Sequence, residues 1–90
     1  SNMDGKIELY GGEIHIFGEI TSPNFLPWIH SYAHKLGIEL KNWQSGNQSL
    51  TLFVEGSREM LNCFSLGCSL GPMSVMVELV ENKCKCLDIS

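Results

Sequence analysis

The chain is 90 residues long, 43% apolar and 18% charged, which suits one small domain around one hydrophobic core and is too apolar for a disordered segment. Its formal net charge is -4, and its six cations (Lys6, Lys35, Lys41, Arg58, Lys83 and Lys85) are scattered, so the basic face that a nucleic-acid binder needs to displace counterions is missing. No apolar run approaches the roughly 20 residues of a membrane helix, and no basic segment precedes an apolar one at the N-terminus; no membrane partner and a cytoplasmic location with reduced thiols are expected.

Ser1 and Asn2, ahead of Met3, read as a tag remnant, leaving residues 3–90 as a single domain without repeat or linker. Lys6 to Tyr10 predicts a short strand ended by Gly11-Gly12. Ile14, Ile16 and Ile20 then alternate with His15, Phe17 and Glu19, with Gly18 at an inward position that lacks a side chain, the period of a second strand segment. Thr21-Ser22-Pro23-Asn24 breaks it with turn residues. A helix follows, with Pro27 in its first turn, a stripe of Trp28, Ile29, Tyr32, Ala33 and Leu36 facing the core, and Gly37 as its stop.

Strands over about Ile38–Gln44 and Ser49–Glu55, joined by Ser45-Gly46-Asn47-Gln48, read as a hairpin in which Leu50, Leu52 and Val54 share one face. Gly56 ends it, and Ser57 is placed to cap a second helix whose buried side is Met60, Leu61, Phe64 and Cys68. After Gly71-Pro72 a last strand alternates Val75, Val77 and Leu79 with Met76, Glu78 and Val80. The order strand, helix, strand, strand, helix, strand predicts an α+β, ferredoxin-like two-layer sandwich, βαββαβ: a four-stranded antiparallel sheet with two helices on one face.

Several of these residues, taken in order, resemble the acylphosphatase family. Gly18-Glu19-Ile20-Thr21-Ser22-Pro23-Asn24-Phe25-Leu26 is similar to the signature Gly-x-Val-Gln-Gly-Val-Gly-Phe-Arg, Leu36-Gly37-Ile38 to a Leu-Gly-Leu after the first helix, Glu55-Gly56 to a Glu-Gly closing the third strand, and Gly71-Pro72 to a Gly-Pro before the last. The interval from Leu36 to Gly56 fits a typical member without a gap. Asn24 to Ile38 also resembles the N-terminal acylphosphatase-like domain of hydrogenase-maturation carbamoyltransferases.

The resemblance implies an enzyme that cleaves the carboxyl–phosphate bond of acyl phosphates without metal or cofactor. Backbone N–H groups of the loop hold the phosphate at a helix N-terminus, an Arg forks onto its oxygens, and an Asn on the second strand orients the attacking water. Here the Arg position is Leu26 and the Asn position is Gln44. The anion-binding loop is Thr21, Ser22, Pro23, Asn24, Phe25 and Leu26, in which Pro23 brings no N–H. Asn42 lies two residues from Gln44, so a two-residue register slip would keep it on the same sheet face.

The expected function is therefore a catalytically impaired or inactive acylphosphatase-like domain that binds a small anion, such as phosphate or sulfate, or an unidentified protein. The alternatives are a divergent acylphosphatase and a self-associating domain pairing through its open sheet edge. No catalytic residue is assigned and no cofactor is expected. No metal is expected either: Cys63 and Cys68 fall in a helical pattern, Cys84-Lys85-Cys86 lacks Cys-x-x-Cys spacing, and His30 and His34, at i and i+4, read as solvent-side histidines without a third ligand. Trp28 and Tyr32 fit the core stripe better than a partner patch, and a cysteine hydrolase would need one of His15, His30 or His34 beside a thiol.

Overall fold

The computed structural model of the chain describes residues 8–18, 23–71 and 77–89, the last through its strand and register. The elements are β1 (Glu8–Gly18), α1 (Phe25–Lys35), β2 (Glu39–Gly46), β3 (Ser49–Gly56), α2 (Arg58–Leu70) and β4 (Val77–Ile89). The sheet runs β2-β3-β1-β4 with every neighbouring pair antiparallel. Each inner strand alternates, so Ile14 and Ile16 of β1 and Leu50, Leu52 and Val54 of β3 are buried while Glu13, His15, Phe17, Thr51 and Phe53 lie on the other face. Phe25, Ile29 and Ala33 of α1 and Leu61, Phe64 and Cys68 of α2 close over the buried side. Each fully buried Leu, Ile or Phe contributes about 1.5–3 kcal/mol through removal from water.

The N-terminal half departs from the sequence pattern. Gly11-Gly12 does not end a strand: β1 runs through both, with Gly12 opposite Val54 and Gly11 opposite Glu55. A Cβ at Gly12 would meet Val54 Cγ2 at 3.1 Å and Leu61 at 3.6 Å, so the glycine makes room for α2 rather than for a turn. Lys6, Glu19, Ile20 and Val75, assigned to strands by the alternation, lie outside the described residues. In β2 the bounds shift to Glu39–Gly46, and a bulge falls between Leu40, opposite Val54, and Asn42, opposite Phe53.

The helix ends follow their local chemistry. Ser57 Oγ accepts the Met60 N–H at 3.2 Å and caps α2. At the end of α1, Gly37 takes φ +70°, its N–H donates to His34 O at 3.1 Å, and Ile38 N–H donates to Ala33 O at 2.9 Å. That pair of bonds is the Schellman closure, and Ile38 buries itself just beyond it. Met60, assigned to the buried side of α2, is in fact exposed, and so is Cys63. The stripe that touches the sheet is Leu61, Phe64 and Cys68, and Met60 and Cys63 each sit about 100° around the helix from a member of it.

The two helices meet at an aromatic seam. Phe25 stacks on Trp28 (6.1 Å between centroids), Trp28 on Tyr32 (5.2 Å) and Tyr32 on Phe64 (5.4 Å), leaving Trp28 and Tyr32 half-buried at the margin of the core. Tyr32 also donates its hydroxyl to Cys63 O at 3.0 Å, laying its ring over Gly67. A Cβ at Gly67 would overlap that ring and hydroxyl, and the ring, stacked on both sides and hydrogen-bonded at its tip, has no easy way to yield. Gly67→Ala should therefore destabilise the protein by about 1–3 kcal/mol in urea denaturation, although alanine improves helix propensity by about 1 kcal/mol.

Candidate functional site

The loop position singled out by the sequence lies where β1 ends, the β2–β3 hairpin turns and α1 begins. Gly18 closes β1 with φ +144°, a conformation open to glycine, and is buried. Its N–H donates to Gln48 O at 3.0 Å, tying the strand end to the hairpin turn, in which Gln48 itself takes φ +57°. Thr21 and Ser22 of the loop lie outside the described residues. Pro23 and Asn24 form an exposed turn, and Phe25 and Leu26 are the first residues of α1.

Asn24 stands at the N-cap position in a helical conformation (φ -86°, ψ -14°), and its side chain does not cap the helix. The first turn of α1 carries no acidic residue, so no carboxylate there offsets the partial positive charge of the helix start. Phe25 is fully buried and anchors this end of α1 in the core. Leu26, which the sequence resemblance sets against an Arg, is half-buried and packs against the same core.

Gln44 sits elsewhere. It is exposed and opposite Thr51 in register, which puts it on the sheet face that the helices leave open. The bulge at Lys41 sets this parity: Leu40 faces the core side, Asn42 pairs with Phe53 on the open side, and Gln44 follows two residues later on that same side. Asn42 thus shares the face of Gln44, and its Oδ1 accepts the Trp43 N–H at 2.8 Å. Leu26 thus packs in the helix layer, and Gln44 looks out from the open side of the sheet.

Trp43, opposite Leu52, faces the helix side, yet β2 is an outer strand of the sheet and the indole stays 39% exposed. Its ring meets His30 edge-on at 4.9 Å between centroids. His30 and His34 are both exposed on α1.

A polar chain on the open face escaped the reading of the sequence. His15 Nε2 lies 2.6 Å from Glu13 Oε2, and Thr51 Oγ1 lies 3.1 Å from His15 Nδ1. In register the row runs Gln44, Thr51, His15 and Glu81 across all four strands. With both ring nitrogens engaged, His15 orders the middle of the face. Glu13 and His15 at i and i+2 were visible as neighbours on one face; their link to Thr51 depends on a pairing between residues 36 apart in the chain.

The cysteines divide by burial. Cys63 is exposed and Cys68 is fully buried, where burial pushes its thiol up to about 12. Burial also raises the Tyr32 phenol, with the neighbouring Cys68 and Cys63 adding to it. Cys84 and Cys86 are placed by backbone register opposite Gly12 and Tyr10. Among the described residues no three His, Cys, Asp or Glu side chains gather into a cluster able to hold a metal ion, and no helix is long and apolar enough to cross a membrane.

No protein-family model matches the chain, and no curated protein matches it. Solved structures do. An acylphosphatase from Coxiella burnetii superposes with TM-score 0.73 at 15% identity, covering 92% of this chain and 85% of its own. The acylphosphatase from Bacillus subtilis superposes with TM-score 0.74 at 17% identity, covering 84% of each chain. Full-length HypF, solved in a phosphate- and nucleotide-bound form, matches with TM-score 0.77 at 18% identity over 92% of this chain and 11% of HypF. The chain therefore has an acylphosphatase-like α+β fold, shared both with free-standing acylphosphatases and with a small part of a far longer protein.

The thiol chemistry has a direct readout. In the native protein at pH 8, iodoacetamide should alkylate Cys63 and leave Cys68 unmodified, with Cys68 reacting only after denaturation, as peptide mass mapping would report.

Proposed function

We propose that this chain is a cytoplasmic acylphosphatase-like module that has lost efficient acyl phosphate hydrolysis and serves to bind a small anion or a protein partner. The observation that carries the reading is how the two positions set against the family's Arg and Asn are used: Leu26 packs onto the core, and Gln44 lies on the open sheet face. A phosphate held at the start of α1 would meet backbone N–H groups without a guanidinium. The missing charge-assisted partner is worth about 1.5–3 kcal/mol in binding. In the transition state the deficit rises to about 2.7–4 kcal/mol, the cost of removing an oxyanion donor. A longer amide at position 44 adds to the fault, since even a shift of about 1 Å in an aimed water costs on the order of 10²-fold.

Retention of an anion is consistent with what remains. The first turn of α1 carries no carboxylate, so its N–H groups keep their preference for negative charge. A second reading, a divergent acylphosphatase, is favoured by the extent of the fold similarity to the Coxiella burnetii and Bacillus subtilis enzymes. It would require a water-orienting group other than Gln44.

Benzoyl phosphate hydrolysis separates the two. The wild-type chain should not exceed the uncatalysed rate. Leu26→Arg, with its aliphatic stem retained on the core and its guanidinium extended to the loop, should tighten inorganic phosphate binding by about ten- to hundredfold. Wild-type turnover well above background would make the protein a divergent acylphosphatase.

A further inference from the structure

We infer that His30 and His34 form a two-imidazole site for a divalent transition-metal cation on the flank of α1 that faces β2, with Trp43 holding the first ring. Residues four apart on a helix stand one above the other on one face, about 5–6 Å between Cβ atoms, a spacing two imidazoles can bridge onto a single ion. Both side chains are exposed, so an ion can reach them and keep water in its remaining positions. Both lie within α1 itself, whose C-terminal end is closed by the bonds from Gly37 and Ile38, so neither depends on a mobile loop for its placement.

Two features of the structure add to the spacing. The Trp43 ring, from a different element, packs edge-on against His30 at 4.9 Å with an interplanar angle of 89°, a contact that favours one orientation of the first ligand. His34 occupies the last turn of α1, where the partial negative charge of the helix end favours a bound cation. Lys35, the adjacent cation, is offset by about 100° around the helix. The chain's third histidine is no competitor, because Glu13 and Thr51 engage both nitrogens of His15 on the opposite sheet face.

The ligand chemistry selects the ion. Neutral nitrogen donors with neither thiolate nor carboxylate favour the later first-row divalent metals, and copper(II) binds such a pair most tightly. Magnesium and calcium, which require oxygen ligands, should not bind there. The site uses none of the loop residues 21–26 and stands whatever the outcome for acyl phosphate hydrolysis.

Trp43 supplies the reporter, since a paramagnetic ion on His30 lies close enough to the indole to quench its emission. The full chain, its accessible thiols first blocked with N-ethylmaleimide, is titrated with copper(II) chloride while tryptophan emission is followed. Saturable quenching at one equivalent is expected, with no response to magnesium chloride. His34→Ala leaves the His30–Trp43 contact in place and should weaken the titration by at least about tenfold, the smallest loss usual even for an outer-shell partner of a metal. Trp43→Phe should lose most of the quenching while the copper(II) electron paramagnetic resonance spectrum still shows coupling to two nitrogens. A wild-type chain without saturable quenching, or a folded His34→Ala variant that titrates like wild type, overturns the site.

Discussion

A sheet covered on one side forces a choice on every residue of its inner strands, and in this molecule that choice is made along β1 and β3. Leu50, Leu52 and Val54 face the helices, as do Ile14 and Ile16, so a slip of one residue in either strand would turn a set of fully buried side chains out to water. The cost of such a slip locks the pairing, and the pairing in turn dictates what stands on the uncovered face. The Thr51–His15 contact, the placement of Gln44 and the exposure of Asn42 follow from apolar side chains on the other side of the sheet rather than from preferences of their own.

The same constraint explains how an acylphosphatase-like fold is kept at low sequence identity. Leu26 and Phe25 give the start of α1 two apolar contacts with the core, one half-buried and one complete. A charged side chain at position 26 would have to keep its charge in water, whereas Leu26 adds apolar contact to the anchor. The fold is shared at 15–18% identity with acylphosphatases and with part of HypF, a level at which the core pattern is common property and the site residues are free to differ.

Elements whose signals are local were legible in the sequence. Ser57 and Gly37 mark helix boundaries because a cap is a contact between neighbours in the chain, and Leu50, Leu52 and Val54 announce their strand by simple alternation. Gly11-Gly12 misled because a glycine pair carries the same local signature at a turn and beneath a packed helix; only Leu61, some fifty residues away, distinguishes the two cases. Met60 was read as buried because it is apolar, while the stripe was in fact set by Leu61, Phe64 and Cys68. Of the candidate site, the identities at positions 26 and 44 were visible, but not that a bulge at Lys41 would decide which way position 44 looks. The same bulge turns Trp43 toward the helix side, where its place on an outer strand leaves it partly exposed.

That bulge also bears on how the molecule behaves in a crowd of its own kind. β2 is an outer strand, with one row of backbone donors and acceptors free of any β3 partner, the geometry that lets extended chains from other molecules add on and build a fibril. Lys41 interrupts that row where two residues oppose one, and it places an ammonium 3.2 Å from Glu39 beside the break. A strand arriving from outside would find neither a straight template nor an uncharged one. The irregularity that turns Gln44 toward solvent thus also makes β2 a poor template for an added strand.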